Sequence, residues 1–139
     1  MKKEIMDKRE SRVMQKVWEQ TDLENPVSVA DLEELFEGEK ISKISIFKAV
    51  QSLLKKEYIG VAGLELAGTV YARKFKAMIT REQYAAIALA DSGIHTSSLG
   101  SLVLAMIGND RDDRPDETKD EELIKDLEMV IDRIKNKEV

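Results

Sequence analysis

Hydroxyl, amide and ammonium side chains recur through one stretch of the chain, between residues 42 and 56. All of these groups donate hydrogen bonds, and the ammonium groups also neutralise anions. This mixture favours non-covalent recognition of a surface that carries negative charge and hydrogen-bonding groups. The set comprises Ser42, Lys43, Ser45, Lys48, Gln51, Ser52, Lys55 and Lys56.

A helix must position this set, and the sequence predicts one. Apolar residues follow helical spacing on the opposite face, namely Ile46, Ala49, Val50, Leu53 and Leu54. Ser42 is the predicted cap of this helix, and a shorter helix capped by Ser28 precedes it and ends at Gly38. The few residues between the two helices predict a helix-turn-helix.

The remaining elements complete a mainly α fold. Val13, Met14, Val17 and Trp18 form the apolar face of a first helix over residues 7–20. Strands over 58–62 and 68–75, joined by 63–67, predict a β-hairpin, and helices follow over about 80–91, 98–107 and 118–137. We therefore expect an N-terminal winged helix-turn-helix, of three helices plus the hairpin, over residues 1–76. A C-terminal helical dimerisation region is expected over 77–139.

A winged helix-turn-helix presents its last helix to the major groove of double-stranded DNA. Ser45, Lys48 and Gln51 are predicted to reach base edges, with Ser52 beside them, and Lys43, Lys48, Lys55 and Lys56 to neutralise phosphates. Ser42 and Lys43 start the helix, where backbone N–H groups also favour phosphate. On the return strand Arg73 and Lys74 are candidates for a phosphate contact, although a solvated strand position is favoured for both. Ile44 and Phe47 are expected to fold onto the core, with contact to a thymine methyl as the alternative.

The last two helices carry more apolar surface than two short helices can hide between them. An identical chain is the simplest cover, because a two-fold dimer uses one patch twice. Packing of these helices onto the N-terminal domain is the alternative. The predicted dimer residues are Leu99, Val103, Met106, Leu123, Leu127, Val130, Ile131 and Ile134.

Composition argues against an enzyme, a cofactor or a metal site. The chain has no cysteine, and its single histidine, His95, is expected in a solvated loop. The acidic residues over 109–116 suggest a weak cation site, but this segment lacks the glycine and the glutamate of a calcium-binding loop. No apolar run reaches the length of a membrane span, so no membrane partner and a cytoplasmic location are expected. The net charge of −5 comes mostly from the C-terminal part, and residues 1–76 have a net charge of +1.

Four regions resemble the penicillinase-repressor family of bacterial winged-helix regulators, which includes the methicillin-resistance and copper-transport repressors. Residues 10–18, ESRVMQKVW, are similar to the family's first-helix E-x-x-(I/V)-M-x-x-(I/L)-W. Residues 41–56 resemble its recognition helix, and residues 79–84, ITREQY, resemble the I-S-x-E-E-Y after its wing. Residues 101–104 and the final helix are similar to its dimerisation region.

This resemblance implies a homodimeric transcriptional repressor on a palindromic operator, relieved by a regulatory protease or an inducer that it does not identify. The sequence departs from the family pattern at several points. Ser52 replaces the usual arginine, Glu57 the usual glycine, and Gly68-Thr69 the Gly-Arg pair of the wing. The cysteine motif of the copper repressors and a cleavable Asn-Phe bond near residues 92–96 are both absent. These departures, together with the acidic balance, keep open an alternative: a winged-helix module that binds a protein and has little affinity for DNA.

Overall fold

The computed structural model describes residues 4–109 and 117–136. These residues form α1 (Lys8–Asp22), α2 (Val29–Leu35), α3 (Lys43–Lys55), β1 (Ile59–Ala67), β2 (Val70–Ala77), α4 (Arg81–Asp91), α5 (Leu99–Asn109) and α6 (Glu117–Lys135). The chain divides into two compact units between Thr96 and Ser97. The predicted fold class is confirmed, since the structure is mainly helical and a two-stranded antiparallel hairpin follows the third helix.

Side-chain caps start the helices where the sequence predicts them. The Ser28 hydroxyl accepts the Asp31 N–H at 3.1 Å, and the Asp31 carboxylate accepts the Ser28 N–H at 2.9 Å. The Ser42 hydroxyl accepts the Ser45 N–H at 3.1 Å, and the Thr80 hydroxyl accepts the Gln83 N–H at 3.0 Å. Because these oxygens satisfy N–H groups that lack a partner within the helix, they fix where α2, α3 and α4 begin.

The core of the first unit lies where α1, α2, α3 and the base of the hairpin meet. Trp18 of α1 is part of this core, and its indole N–H donates to the Ile79 carbonyl at 2.8 Å. The buried hydrophobic residues are Met6, Val13, Met14, Val17, Trp18, Val27, Leu32, Phe36, Ile46, Ala49, Val50, Leu53, Tyr58, Ile59, Phe75 and Ile79. This core covers the inner face of α3 and leaves its other face to solvent.

The hairpin is longer than the sequence predicts. Residues 63–67, expected to be a loop, continue β1, and the turn is the two residues Gly68 and Thr69, between the paired Ala67 and Val70. Gly68 has a φ of 68°, a conformation that glycine adopts without strain. A β-bulge at Ala62 shifts the register. The prediction of a loop over 63–67 was therefore wrong, because a two-residue turn lets these residues pair with β2 up to Ala67 and Val70.

The hairpin and α4 belong to the first unit, and both contact its N-terminal part. Val27 and Phe75 exchange backbone hydrogen bonds of 3.0 and 2.7 Å, which pairs the segment before α2 with β2. The Tyr84 hydroxyl of α4 accepts the Met6 N–H at 3.0 Å, and Tyr84 packs against Tyr58 with ring centroids 5.5 Å apart. The boundary between the compact units therefore lies after residue 96, later in the chain than residue 76. The division of function between residues 1–76 and 77–139 stays a prediction.

The second unit contains α5 and α6, and its apolar side chains are accessible in the single chain. On α5, Leu99 and Val103 are half-buried and Met106 is exposed. On α6, Leu127 is half-buried, and Leu123, Val130, Ile131 and Ile134 are exposed. At 100° per residue, these five side chains lie on one side of α6.

Candidate nucleic-acid interface

The outer face of α3 carries polar groups that point away from the core. Lys43, Lys48, Gln51 and Lys55 are exposed, and Ser45 is half-buried. Ile46, Ala49, Val50 and Leu53 on the inner face are buried. The predicted division of this helix into an apolar and a polar face is confirmed, so the first unit presents a polar helix face that a groove could receive.

Two apolar residues interrupt this polar face. Ile44 is 67% exposed and Phe47 is 50% exposed. The expectation that they fold onto the core was wrong, because at 100° per residue both lie more than about 100° around α3 from the buried Ala49 and Leu53. Exposed apolar side chains on a recognition helix are suited to contact with thymine methyl groups or with an apolar partner.

The last turn of α3 is joined to α1 through a buried carboxylate. Glu10 has no exposed surface. Its Oε2 accepts the Ser52 hydroxyl at 2.6 Å, and its Oε1 accepts the Lys56 ammonium at 2.8 Å and the Asp7 N–H at 2.9 Å. Ser52 and Lys56, two residues predicted to contact DNA, are therefore engaged inside the protein.

This network sets the charge states of Glu10 and Lys56. Burial alone raises the pKa of Glu10, but hydrogen bonds from the Asp7 N–H, Lys56 and Ser52 outweigh it and lower the pKa below its ordinary value. The hydrogen bond to Glu10 raises the pKa of Lys56, against the opposing effect of burial. The pair is thus ionised at neutral pH, and it fixes the orientation of α3 on α1.

We expect the stability that Glu10 provides to be lost in acid. Its pKa is lower in the folded chain than the value of about 4.3 in an unfolded chain, so protonation favours unfolding as the pH falls below about 5. The raised pKa of Lys56 has its effect at the other end, above about pH 10. Urea unfolding at pH 7 and pH 3.5 tests this, with Glu10→Gln as the control. The stability difference between the wild type and Glu10→Gln should shrink at pH 3.5, and an equal difference at both pH values would contradict the expectation.

The hairpin of β1 and β2 is the predicted wing, and its side chains differ from those of a cationic DNA-binding wing. Lys74 lies 3.3 Å from Asp31 and 3.4 Å from Glu65, so its charge is balanced within the protein. Arg73 is exposed and its guanidinium lies 5.3 Å from the centre of the Phe75 ring. Towards the tip the large side chains are exposed and apolar, namely Leu64, Leu66, Val70 and Tyr71. Arg73 is thus the better placed of the two predicted wing contacts.

The sequence did not predict that Glu10 joins α1 to the last turn of α3. The signal was present, because Asp7 and Glu10 have the spacing of a capping box. A capping glutamate is normally a surface residue, however, and the sequence gives no sign that Ser52 and Lys56 meet it, 42 and 46 residues later.

Other predicted features can be placed as well. His95 is exposed in a loop, as expected. The described residues hold no group of three or more histidine, cysteine, aspartate or glutamate side chains arranged for a metal. The suggested weak cation site falls largely on residues 110–116, which lie outside the described residues. Across residues 4–109 and 117–136, no helix is both long and apolar enough to cross a membrane.

Comparison with known proteins gives likenesses among solved structures alone. No family model and no curated protein matches the chain. A crystal structure of the adhesin competence repressor from Streptococcus pyogenes aligns over 96% of this chain and 84% of that chain, with 12% identity and a TM-score of 0.36. A likeness at this level does not establish a shared family or function, so the resemblance to penicillinase repressors stays a prediction.

Proposed function

We propose that the protein is a sequence-specific DNA-binding transcriptional repressor that acts in the cytoplasm as a homodimer on a palindromic operator. The observation that carries this proposal is the exposed polar face of α3, with Lys48, Gln51 and Lys55 outward and the opposite face held in the core. The helix follows a short turn after α2, which is how helix-turn-helix proteins offer a helix to the major groove.

A dimer accounts for the second unit in this proposal. The apolar side of α6 is available to the same side of a second copy, and a two-fold dimer repeats α3 with the symmetry of a palindrome. Half-sites should then lie about one helical turn apart, or 34–36 Å, along the duplex. The proposal therefore requires two copies of α3 on one face of the DNA.

Substitution of Gln51 or Lys48 by alanine tests the role of α3. We expect each change to weaken specific binding by about 1–3 kcal/mol, because each removes one contact to a base or phosphate. The operator is first selected from random duplexes with the wild type, and affinities are then measured at fixed salt. Lys125→Ala on α6 removes one exposed charge outside the interface and serves as the control. Wild-type affinity of both α3 variants for the selected sequence would contradict the proposal.

A protein-binding module is the second candidate, and the wing favours it. Leu64 and Leu66 are 63% and 61% exposed, and Tyr71 is 65% exposed, on a hairpin that lacks cations at its tip. Large exposed apolar side chains are typical of a surface that binds another protein. Pull-down of genomic fragments with the purified protein separates the candidates: enrichment of one short palindrome favours the repressor, and a flat profile favours the module.

A further inference from the structure

A cleft borders the start of α3, beside the polar face already described. Its volume is about 400 Å³. It is lined by Lys8, Arg9 and Arg12 of α1, by Lys40 and Ile41 of the turn, and by Ser42 and Ser45 of α3. Four cationic residues from two parts of the chain thus meet two hydroxyl groups at the N-terminal end of a helix.

Most of these cations are not neutralised by the protein itself. Arg12 is the exception, since its charge is balanced by Glu39 at 3.6 Å and it donates to the Lys40 carbonyl at 3.0 Å. In the described part of the chain, no carboxylate lies within 4.0 Å of the charged nitrogens of Lys8, Arg9 or Lys40. The Nε of Arg9 is buried and has no hydrogen-bond partner there. A buried donor without an acceptor costs about 1–3 kcal/mol, so the guanidinium of Arg9, which lines the cleft, is not fully satisfied by the protein.

We propose that this cleft binds a phosphate group, and that the phosphate belongs to the DNA backbone at the edge of the groove that α3 enters. The assignment rests on the proposed function. A guanidinium matches phosphate with two parallel hydrogen bonds, and lysines add charge. The N-terminus of α3 adds the positive end of a helix dipole, which also favours an anion.

The position of the cleft selects a backbone phosphate over a free one. Ser42 and Ser45 belong both to the cleft and to the first turn of α3, so an anion held there lies beside the helix that reads bases. Phosphate contacts fix the register of a protein on the duplex and carry no sequence information. The cleft would thus set how α3 is placed in the groove, while Lys48 and Gln51 would set which sequence is preferred.

The salt dependence of DNA binding tests this assignment. Lys8 and Lys40 are exposed, so Lys8→Gln with Lys40→Gln should leave the fold intact, which circular dichroism can verify. We expect the slope of log K against log salt on a duplex of random sequence to fall by about 0.9, the contribution of the one phosphate that the cleft neutralises. Lys125→Gln with Arg133→Gln changes the charge equally on α6 and should leave the slope unchanged.

A wild-type slope in the double variant, or an equal fall in the α6 control, would overturn the cleft assignment alone. Absence of any duplex binding by the wild type would overturn both this assignment and the proposed function. NMR titrations with inorganic phosphate and with a nucleotide, followed at the amide resonances of Ser42 and Ser45, show whether the cleft binds a free phosphate compound. Shifts that the double variant abolishes, with an unchanged duplex slope, would place a free phosphate compound in the cleft and remove the DNA backbone from it.

Discussion

Replacing Glu10 by alanine should lower the free energy of unfolding by about 3–5 kcal/mol, the usual cost of removing one partner of a buried ion pair. The carboxylate accepts hydrogen bonds from Ser52, Lys56 and the Asp7 N–H. Its loss takes the nearer carboxylate, at 2.8 Å, from the Lys56 ammonium, which is only 18% exposed and then relies on the more distant Glu4 at 3.8 Å. The change also removes half of the capping box of α1.

Urea unfolding at pH 7, followed through the circular dichroism of the helices, measures this loss. Glu19→Ala is the matched control, because Glu19 is an exposed glutamate of the same helix and its replacement should cost little. Glu10→Gln keeps the size of the side chain and should fall between the two. A loss in Glu10→Ala no larger than in Glu19→Ala would show that the buried network contributes nothing to stability.

A second large effect is expected on assembly. Leu127→Asp combined with Val130→Asp should convert a dimer into monomers, because both residues lie on the apolar side of α6 and a charge buried there is strongly unfavourable. Affinity for a palindromic operator should fall with it, since the two α3 helices would no longer be linked and would lose their high effective concentration on the DNA. Sedimentation velocity gives the mass directly.

The control makes the same change in net charge on the opposite side of α6. Lys125→Asp changes an exposed residue that lies well away from Leu127 around the helix. This variant should keep the wild-type mass at every concentration. A dimer in the Leu127 and Val130 variant would move the interface away from α6.

Features set by local chemistry were predicted well from the sequence. Ser28 and Ser42 cap the helices they were expected to cap, because a hydroxyl that accepts the N–H three residues later acts within a single turn. The buried face of α3 also follows from helical spacing alone. Glu57 adds a local detail: its φ of 65° lies in the left-handed region, where the resembled family has the glycine that this region favours.

Features set by contacts between distant residues were not predictable in the same way. Ser52 occupies a polar position on α3, and nothing in its surroundings indicates that its hydroxyl turns inward to Glu10. The sequence makes Lys74 a candidate for a phosphate contact, but in the fold the carboxylates of Asp31 and Glu65 balance its charge. In each case packing across the fold decided the outcome.

Because the aromatic residues all lie in the first unit, the two units differ in their fluorescence and near-ultraviolet circular dichroism signals. The single tryptophan, Trp18, is 4% exposed and hydrogen-bonded to the Ile79 carbonyl, and residues 97–139 contain no aromatic side chain. Indole fluorescence and near-ultraviolet dichroism therefore report on the first unit alone. Melting of α5 and α6 would pass unseen by both methods, whereas far-ultraviolet dichroism would register it. Divergent transitions between the two kinds of signal would reveal the order in which the units lose their structure.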